Sequence, residues 1–364
     1  MTERLNTART GLKQRWTARA VAALTAPLTY PLDPAEYLRP AVAANGARIE
    51  ALEFATIDAI SLTLRPQGRF PKHQAGQFIR FGVDIDGVRH WRCYSVSSAP
   101  ERADGCLTIT VKAIADGRVS NHVGRALSIG DRVYLEAPAG EFVLPDVIPE
   151  RLLFITAGSG ITPVMSMLAS LEARGAMPQV TLIHSAPDAG TMVFGDALKE
   201  MAERNPQLIL HCQYTRAAGR LEVSRLTELC PDWQQRAAWA CGPDAMLQML
   251  EDHWQQTGIA NQLNVERFRP RAAQASADTQ SGTVRFTKTG GAVAGRSDQN
   301  VLELAELNGL SPEHGCRMGI CHGCTVTLKA GCVRDLRNGQ TFAEEGDLVQ
   351  ICVCAPVGDV EIAL

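Results

Sequence analysis

The 364-residue chain has little net charge and no long apolar run. Its formal net charge is −3 at pH 7, so composition gives no reason to expect a nucleic-acid partner. No segment approaches the ~18 consecutive apolar residues of a membrane span, and the start of the chain carries no convincing secretory signal. Eleven cysteines without such a signal favour a reducing compartment, and we expect a cytoplasmic protein.

Three of the cysteines stand close together among glycines. Cys316, Cys321 and Cys324 have the spacing C-x4-C-x2-C, with Gly319 and Gly323 between them. Glycine allows the tight backbone that points several thiolates at one small volume, and it leaves amide N–H groups free to bond cluster sulfurs. With a fourth cysteine this is the plant-type 2Fe-2S spacing, whereas zinc sites usually have two C-x2-4-C pairs. The stretch therefore predicts a 2Fe-2S cluster.

The fourth ligand is Cys352 or Cys354, which stand two residues apart in an apolar run that reads as a strand. Both thiols would then share a face, so strand geometry does not choose between them. Residues 283–364 resemble a plant-type ferredoxin domain, in which the last ligand is followed by Pro four residues on and Asp seven on. Pro356 and Asp359 stand at those distances from Cys352. The resemblance therefore favours Cys352.

Residues 48–147 show many short strand patterns separated by turn signals, which is typical of a small antiparallel β-barrel. The clearest is a hairpin joined by Asp86-Gly87, a pair that suits a type I′ turn. Its second strand ends in Arg92-Cys93-Tyr94-Ser95. Strand alternation puts Arg92 and Tyr94 on one face and Ser95 on the other.

The R-x-Y-S pattern resembles the flavin motif of the ferredoxin–NADP reductase superfamily. The resemblance implies that Arg92 pairs with a flavin phosphate, that Tyr94 lies against the isoalloxazine ring and that Ser95 bonds the ring edge. Arginine suits phosphate because its planar fork makes two parallel charge-assisted bonds.

Residues 117–121 (Gly-Arg-Val-Ser-Asn) resemble the loop and helix start that cradle the FAD pyrophosphate in the same superfamily. Ser120 or Asn121 is expected to cap the helix, whose N-terminus favours anions. This stretch favours FAD over FMN, and the resemblance implies that Gly117, Val119 and Ser120 bind it.

Residues 148–268 read as an α/β unit with a parallel sheet. An apolar strand leads to Gly158 and Gly160, which would let the backbone approach a pyrophosphate, and then to Thr162, which suits a helix N-cap before Pro163. The third glycine of G-x-G-x-x-G is absent, so the common dinucleotide fingerprint does not apply. The stretch nevertheless resembles the NAD(P) loop of the same superfamily, which implies that Thr162 also approaches the flavin.

Two later stretches also resemble that superfamily. Cys241-Gly242-Pro243 resembles its C-G-P motif, which implies that Cys241 lies beside the nicotinamide C4 as a neutral, polarizable contact. Residues 265–268 resemble the E-x-F end of the NAD(P) domain, with Phe268 near the flavin.

The choice between NADH and NADPH stays open. The second strand is followed by Asp188 but ends without a clear acid or arginine for the adenosine ribose. Arg216 or Arg220 could reach a 2′-phosphate, although a solvated arginine is the simpler interpretation.

The remaining segments are a basic, Pro-rich arm (1–47), a linker without apolar periodicity (269–282) and a β-grasp (α+β) ferredoxin domain (283–364). The arm is a helix that binds a membrane or partner, a transit peptide or a segment packed on the body. In the last domain, Asn300 followed by Glu303 predicts a helix start.

Together these parts predict a multidomain NAD(P)H-dependent reductase. A nicotinamide gives up two electrons as hydride, a 2Fe-2S cluster accepts one, and a flavin handles both. The resemblance implies that hydride moves past Ser95, Thr162 and Cys241, and that single electrons leave the cluster near Arg317 and His322.

The domain order resembles reductase components of bacterial oxygenases and desaturases. The arm around residues 31–38 resembles reductases of membrane-bound, stearoyl-type acyl desaturases. We therefore expect a desaturase partner and, through it, a peripheral membrane location. The alternatives are a ring-hydroxylating or other monooxygenase partner, and a redox sensor that does not turn over.

Overall fold

Three β-sheets follow one another along the chain, and each has its own hydrophobic core. The computed structural model describes residues 45–115, 117–268, 281–315, 317, 319 and 322–364. Residues 1–44 of the predicted arm (1–47) and residues 269–280 of the predicted linker (269–282) lie outside the described residues. Within the described part of the chain, no helix is long and apolar enough to cross a membrane.

The first sheet is antiparallel and closes into a barrel. Its strand order is β4-β3-β6-β1-β2-β5. A bridge between Val96, just after β4, and Ile109 of β5 joins the two edges. Asp86 (φ 52°) and Gly87 (φ 78°) make the predicted hairpin turn. The elements are β1 (Asn45–Thr56), β2 (Ala59–Pro66), β3 (Phe78–Ile85), β4 (Val88–Ser95), β5 (Leu107–Lys112), α1 (Arg118–Ala126) and β6 (Arg132–Leu135).

Alternating apolar side chains hold the barrel together. Ile79, Phe81 and Val83 of β3 point inward and are almost fully buried, as are Leu62 and Leu64 of β2. A fully buried side chain of this size stabilises the fold by about 1.5–3 kcal/mol. β4 is paired with β3 along its whole length, so the packed barrel positions β4 along one wall.

The second sheet is parallel, in the order β11-β10-β7-β8-β9. The order reverses between β7 and β10, and in such sheets ligands bind outside the carboxyl ends of the strands at the reversal point. Its strands are β7 (Arg151–Ala157), β8 (Gln179–Ala186), β9 (Leu208–Tyr214), β10 (Ala237–Cys241) and β11 (Leu263–Glu266). Its helices are α2 (Ile161–Ala173), α3 (Gly195–Arg204), α4 (Thr215–Ala218), α5 (Leu226–Leu229) and α6 (Asp244–Gln256).

The third sheet is mixed, in the order β13-β12-β17-β14-β15, with β16 also paired to β14. Only the β12–β17 pair is parallel among the pairs described here. Asn300 accepts a hydrogen bond from the Glu303 amide at 2.9 Å, which confirms the predicted start of α7. The elements are β12 (Ser281–Phe286), β13 (Gly291–Arg296), α7 (Val301–Leu307), β14 (Thr325–Asp335), β15 (Thr341–Phe342), β16 (Leu348–Gln350) and β17 (Cys354–Ile362). The barrel, the parallel α/β sheet and this sheet confirm the predicted fold class.

The prediction that the apolar run 348–354 is one strand is wrong. β16 ends at Gln350, and a turn at residues 351–353 precedes β17. The turn closes through a hydrogen bond from the Val353 amide to the Gln350 carbonyl at 3.0 Å. Cys352 therefore lies in a turn, whereas Cys354 begins a strand.

Candidate flavin, nicotinamide and cluster site

A cavity of about 1120 Å³ is bordered by side chains from the barrel, the parallel sheet and the ferredoxin region. All these residues belong to one compact unit, residues 46–364. The cavity brings together nine of the residues predicted from the sequence. They are Arg92, Tyr94, Ser95, Gly117, Val119, Ser120, Thr162, Phe268 and Cys352.

Ser95 is the last residue of β4 and borders this cavity. Its side chain is buried, with 5% of the residue exposed, and no described residue makes a hydrogen bond with its Oγ. A buried hydroxyl without a partner is unfavourable, so a polar ligand atom is the natural complement. The site thus fits the edge of a flavin ring.

Tyr94 and Arg92 border the cavity beside Ser95. The Tyr94 ring packs edge-on against Phe81, with centroids 5.9 Å apart, and burial raises the pKa of its hydroxyl. Arg92 donates to the Trp91 carbonyl at 2.7 Å. Burial, followed by the nearby Arg317 guanidinium, lowers the pKa of Arg92. A partly dry guanidinium of this kind is suited to an anion such as a flavin phosphate.

The loop before α1 differs in detail from the prediction. The helix begins at Arg118 with Gly117 as its N-cap, so neither Ser120 nor Asn121 is the cap. Instead, Asn121 Nδ2 donates to the Ile114 and Gly117 carbonyls, both at 2.9 Å. Ser120 Oγ donates to the Gly117 carbonyl at 3.3 Å. These side chains lie in the first helical turn and fasten the loop.

The loop before α2 also starts its helix differently from the prediction. The helix begins at Ile161 with Gly160 as N-cap, so Thr162 is a helical residue rather than the cap. Thr162 Oγ1 donates to the Ser159 carbonyl at 2.9 Å. The Gly158–Gly160 turn is already a 3-10 helix, and it leads directly into α2.

Glycines let the ends of β7 and β10 meet. A Cβ at Gly160 would lie 2.1 Å from the Cys241 carbonyl oxygen, and one at Gly242 would lie 3.2 Å from the Ala157 Cβ. Gly158 has a φ of 56° with open space around it. The tight packing at Gly160 is therefore between two protein loops, while Gly158 leaves room for a ligand.

Cys241 is fully buried, and it lies opposite Glu266 in the β10–β11 register. Burial, and to a lesser extent Glu266, raises the pKa of the Cys241 thiol well above its usual range, so the thiol is neutral. Of the described residues, Gly158, Gly160, Cys241, Gly242 and Pro243 do not border the cavity itself.

Glu266 also borders the cavity, although the sequence motifs did not predict it as a site residue. No described residue makes a hydrogen bond with its Oε2, and burial raises its pKa to about 8. The signal in the sequence is an acid at the end of an apolar strand, two residues before Phe268.

The cluster region is only partly described. Cys316 and Cys321 lie outside the described residues, while Cys324, Cys352 and Cys354 are each about 2% exposed. The Ile351 amide donates to the Cys324 carbonyl at 3.3 Å, which brings the turn holding Cys352 next to Cys324. Cys352 borders the cavity, and Cys354 does not. Buried thiols on two adjoining loops suit a cluster that thiolates bind.

An arginine fastens the cluster loop to the rest of the third sheet. Arg337 Nη1 donates to the Gly319 carbonyl at 2.6 Å, and Arg337 Nη2 pairs with Asp335 at 2.6 Å. Left-handed backbone occurs in this loop at Arg317 (φ 58°), Gly319 (φ 71°) and His322 (φ 54°).

Arg317 borders the cavity on the flavin side and forms an ion pair with Glu306. Its expected position near an exit for electrons stays a prediction. His322 is exposed, and its expected position near such an exit stays a prediction.

Asp188 and Arg216 meet beyond the end of β8 and form an ion pair. Asp188 also accepts a hydrogen bond from the Thr191 amide at 3.0 Å. The Arg216 side chain is 72% exposed, so it is available to a ligand at this edge.

Family models match the three regions in the same order. An oxidoreductase FAD-binding domain matches residues 57–144, an oxidoreductase NAD-binding domain matches residues 154–252, and a 2Fe-2S iron-sulfur cluster binding domain matches residues 287–357. FAD, NAD(P)H and a 2Fe-2S cluster are therefore the cofactors of this chain.

Similar proteins share most of the chain. An NADPH oxidoreductase of Mycobacterium tuberculosis is 40% identical over an alignment of 349 positions, and the match covers 93% of this chain and 91% of that protein. The ferredoxin reductase component of 3-ketosteroid-9-alpha-monooxygenase from the same species is 31% identical and covers 79% of this chain and 84% of its own. A glycine betaine monooxygenase reductase subunit of Pseudomonas aeruginosa is 29% identical, with 79% and 86% covered.

Among solved structures, phthalate dioxygenase reductase has the same fold. It superposes with a TM-score of 0.63 at 22% identity, and the match covers 89% of this chain and 99% of that one. The chain therefore belongs to the family of electron-transfer reductases, within the ferredoxin–NADP reductase superfamily, that combine an FAD-binding, an NAD(P)-binding and a C-terminal 2Fe-2S domain.

Proposed function

We propose that this protein carries electrons from NADPH, through FAD and its 2Fe-2S cluster, to a terminal oxygen-activating enzyme. One observation carries the proposal: side chains from the flavin, nicotinamide and cluster regions border the same cavity. A bound flavin would supply the conversion between paired and single electrons. We keep residues 48–147, 148–268 and 283–364 as the proposed bounds of the three domains.

In this proposal each cavity residue has a positioning task. Ser95 donates or accepts a hydrogen bond at the ring edge, and Arg92 binds a flavin phosphate. Thr162 and Phe268 border the space between flavin and nicotinamide and exclude water from it. Cys241, Gly242 and Pro243 do not border the cavity, and in this proposal they lie behind its wall on the nicotinamide side, where a neutral thiol adds no charge to the hydride path.

Anaerobic mixing with NADPH tests the function. We expect flavin absorbance to bleach first and cluster absorbance to follow, because the cluster can receive electrons only after the flavin is reduced. A redox sensor without turnover would leave external one-electron acceptors unreduced. Spectra that stay unchanged with both NADPH and NADH would contradict the reductase proposal.

We propose Cys316, Cys321, Cys324 and Cys352 as the cluster ligands. Support for Cys352 comes from its place on the cavity wall and from the turn that brings it beside Cys324. The variant C352S should lose the cluster absorbance, while C354S should keep it and leave the iron content unchanged. The opposite result would assign the fourth ligand to Cys354.

NADPH is the proposed donor, since the relative that is 40% identical is an NADPH oxidoreductase. Arg216 is exposed beyond the end of β8, where a 2′-phosphate would lie in sheets of this kind. The variant R216A should raise the KM for NADPH about tenfold and leave the KM for NADH within about twofold, because only NADPH carries the charge that the guanidinium would meet. Equal effects on both nucleotides would contradict the role of Arg216.

For the terminal enzyme we propose a membrane-bound acyl desaturase. The support is the resemblance of residues 31–38, in the N-terminal arm, to reductases of such desaturases. The match to the NADPH oxidoreductase covers 93% of the chain, whereas residues 46–364 amount to only 88% of it (319 of 364), so the match includes part of that arm. The monooxygenase reductase components support the alternative, a soluble oxygenase partner.

Reconstitution separates the two partners. The purified chain and NADPH are combined either with a stearoyl-type desaturase in phospholipid vesicles or with a ring-hydroxylating oxygenase in solution. We expect product from the desaturase, and less of it when residues 1–44 are removed. Product from the oxygenase alone would favour the alternative.

A further inference from the structure

Arg317 and Arg92 face the same cavity from two different regions of the fold. Arg92 lies on β4 of the barrel, and Arg317 lies in the cluster loop of the ferredoxin region. Arg317 Nη1 donates to Glu306 at 3.1 Å, and its Nη2 lies 3.1 Å from His314 Nε2. A guanidinium that follows a predicted cluster ligand in sequence is thus turned towards the flavin side.

The other cavity cations on the barrel have acidic partners. Arg89 pairs with Asp84 at 2.8 Å, Lys112 with Asp58 at 3.2 Å and Arg118 with Asp86 at 3.1 Å. Within the described part of the chain, Arg92 has no carboxylate within ion-pair distance, and its only hydrogen bond is to the Trp91 carbonyl.

The net charge of the two guanidiniums and the Glu306 carboxylate is therefore about +1. These side chains are only partly exposed to solvent. Two guanidiniums that repel each other at reduced dielectric become favourable neighbours when an anion lies between them. The exposed acids Glu303 and Glu313 on the rim lie in solvent, where water screens their charge.

The Arg317 backbone is also unusual. Its φ of 58° is uncommon for a residue other than glycine, and such strain persists where the surroundings enforce it. The ion pair with Glu306, on the neighbouring helix α7, holds the guanidinium in this orientation.

We propose that Arg317 is a second ligand of the FAD diphosphate, which it meets opposite Arg92, so that FAD joins the barrel to the ferredoxin region. The proposal rests on FAD occupying the Arg92 site, as proposed above. It adds a phosphate contact from a different domain, and it places that contact in the loop that carries the cluster cysteines.

Flavin affinity of the full-length chain tests this proposal without turnover. FAD is removed, and the apoprotein with its cluster intact is titrated with FAD, FMN and riboflavin, which differ only in phosphate content and adenosine. The variant R317Q should weaken FAD binding about tenfold or more, and riboflavin binding by less than about twofold. FMN shows whether the flavin-side phosphate alone provides the contact.

Three control variants distinguish the loss of a phosphate contact from a general structural effect on FAD affinity. R285Q removes an exposed arginine from the same domain and should bind FAD like the wild type. E306Q keeps a hydrogen-bond acceptor that can hold Arg317 in place and removes only the competing charge, so it should bind FAD at least as tightly as the wild type. R317K keeps the charge without the planar fork and should lie between wild type and R317Q, and it serves as the test if R317Q does not retain its cluster.

Unchanged FAD affinity in R317Q would overturn the proposal, and so would an equal loss for FAD and riboflavin. A loss in E306Q as large as that in R317Q would also overturn it, because the pair would then act as a structural tie. If R317Q binds FAD normally while the wild type reduces its cluster with NADPH, the inference fails and the proposed function stands.

Discussion

The loop before α1 and the loop before α2 both lead from a strand into a helix N-terminus, yet they are held in different ways. In the first, the Asn121 side chain bonds the Ile114 and Gly117 carbonyls. In the second, Gly160 packs directly against the Cys241 backbone. A loop fastened by side chains can adjust around a cofactor that stays bound. A loop packed backbone to backbone keeps a fixed shape for a nucleotide that comes and goes.

A matched pair of alanine substitutions tests most directly whether the two loops are held in different ways. In G160A the new Cβ would lie 2.1 Å from the Cys241 carbonyl oxygen, which is backbone and cannot move away. In G117A the Cβ would meet the Ser120 Oγ at 2.2 Å and the Ile114 Cγ1 at 2.5 Å, which are side-chain atoms that can rotate.

We expect G160A to lower the free energy of unfolding by about 3 kcal/mol or more, and G117A by about 1 kcal/mol. Nicotinamide-driven flavin reduction should fall much further in G160A than in G117A. Denaturant unfolding and stopped-flow absorbance measure the two effects. Similar losses in both variants would show that the loops are held alike.

Glu266, whose Oε2 atom is buried, offers a pH-dependent test on the α2 side. Its pKa is raised from 4.5 to about 8 by burial, so the folded apoprotein binds a proton that the unfolded chain has lost at neutral pH. Below pH 4.5 the carboxyl group is protonated in both states, so it does not change the free energy of unfolding. Between pH 4.5 and 8 the free energy of unfolding falls as pH rises, and above pH 8 the loss stays constant.

E266Q removes this dependence. The apoprotein variant should match the wild type near pH 4.5 and be more stable by on the order of 2 kcal/mol at pH 8. Urea unfolding at both pH values measures the difference. If E266Q and the wild type differed by the same free energy of unfolding at both pH values, the Glu266 carboxyl group would be ionised in the folded protein.

The smallest expected effect belongs to the α1 loop. N121A removes hydrogen bonds to two loop carbonyls and should weaken FAD binding about fivefold, which corresponds to a total loss of about 1 kcal/mol from a looser loop. S120A removes a longer bond, 3.3 Å to the Gly117 carbonyl, and should change FAD affinity by less than about twofold. Flavin titration of the apoprotein checks both. A larger loss in S120A would indicate a direct contact with the cofactor.

Much of the fold was predictable because local signals agreed with the tertiary structure. The Asp86-Gly87 turn sets both the sign of φ and the hairpin register, and Asn300 with Glu303 marks a helix start that packing does not change. Motif spacing likewise brought eight predicted flavin-side residues to one cavity, although they come from four separate stretches of sequence.

Other features depend on contacts that spacing does not reveal. Thr162 has the chemistry of an N-cap, but the Gly158–Gly160 turn starts the helix earlier. The apolar run 348–354 breaks where the Ile351 amide bonds to Cys324, which is distant in sequence. The orientation of the Arg317 side chain follows from a left-handed backbone φ, which the residue type does not predict.

The seam of the barrel has a further consequence. The bridge from Val96 to Ile109 and the bond from the Ser97 amide to the Thr108 carbonyl at 2.8 Å join the barrel edges immediately after Ser95. A flavin on the Ser95 hydroxyl would sit one peptide away from this closure, so its arrival should tighten the seam and its departure should loosen it. The amide protons of Val96 and Ser97 would then exchange with heavy water more slowly when flavin is bound than when it is absent. Their exchange rates would therefore report the fraction of the protein that holds flavin.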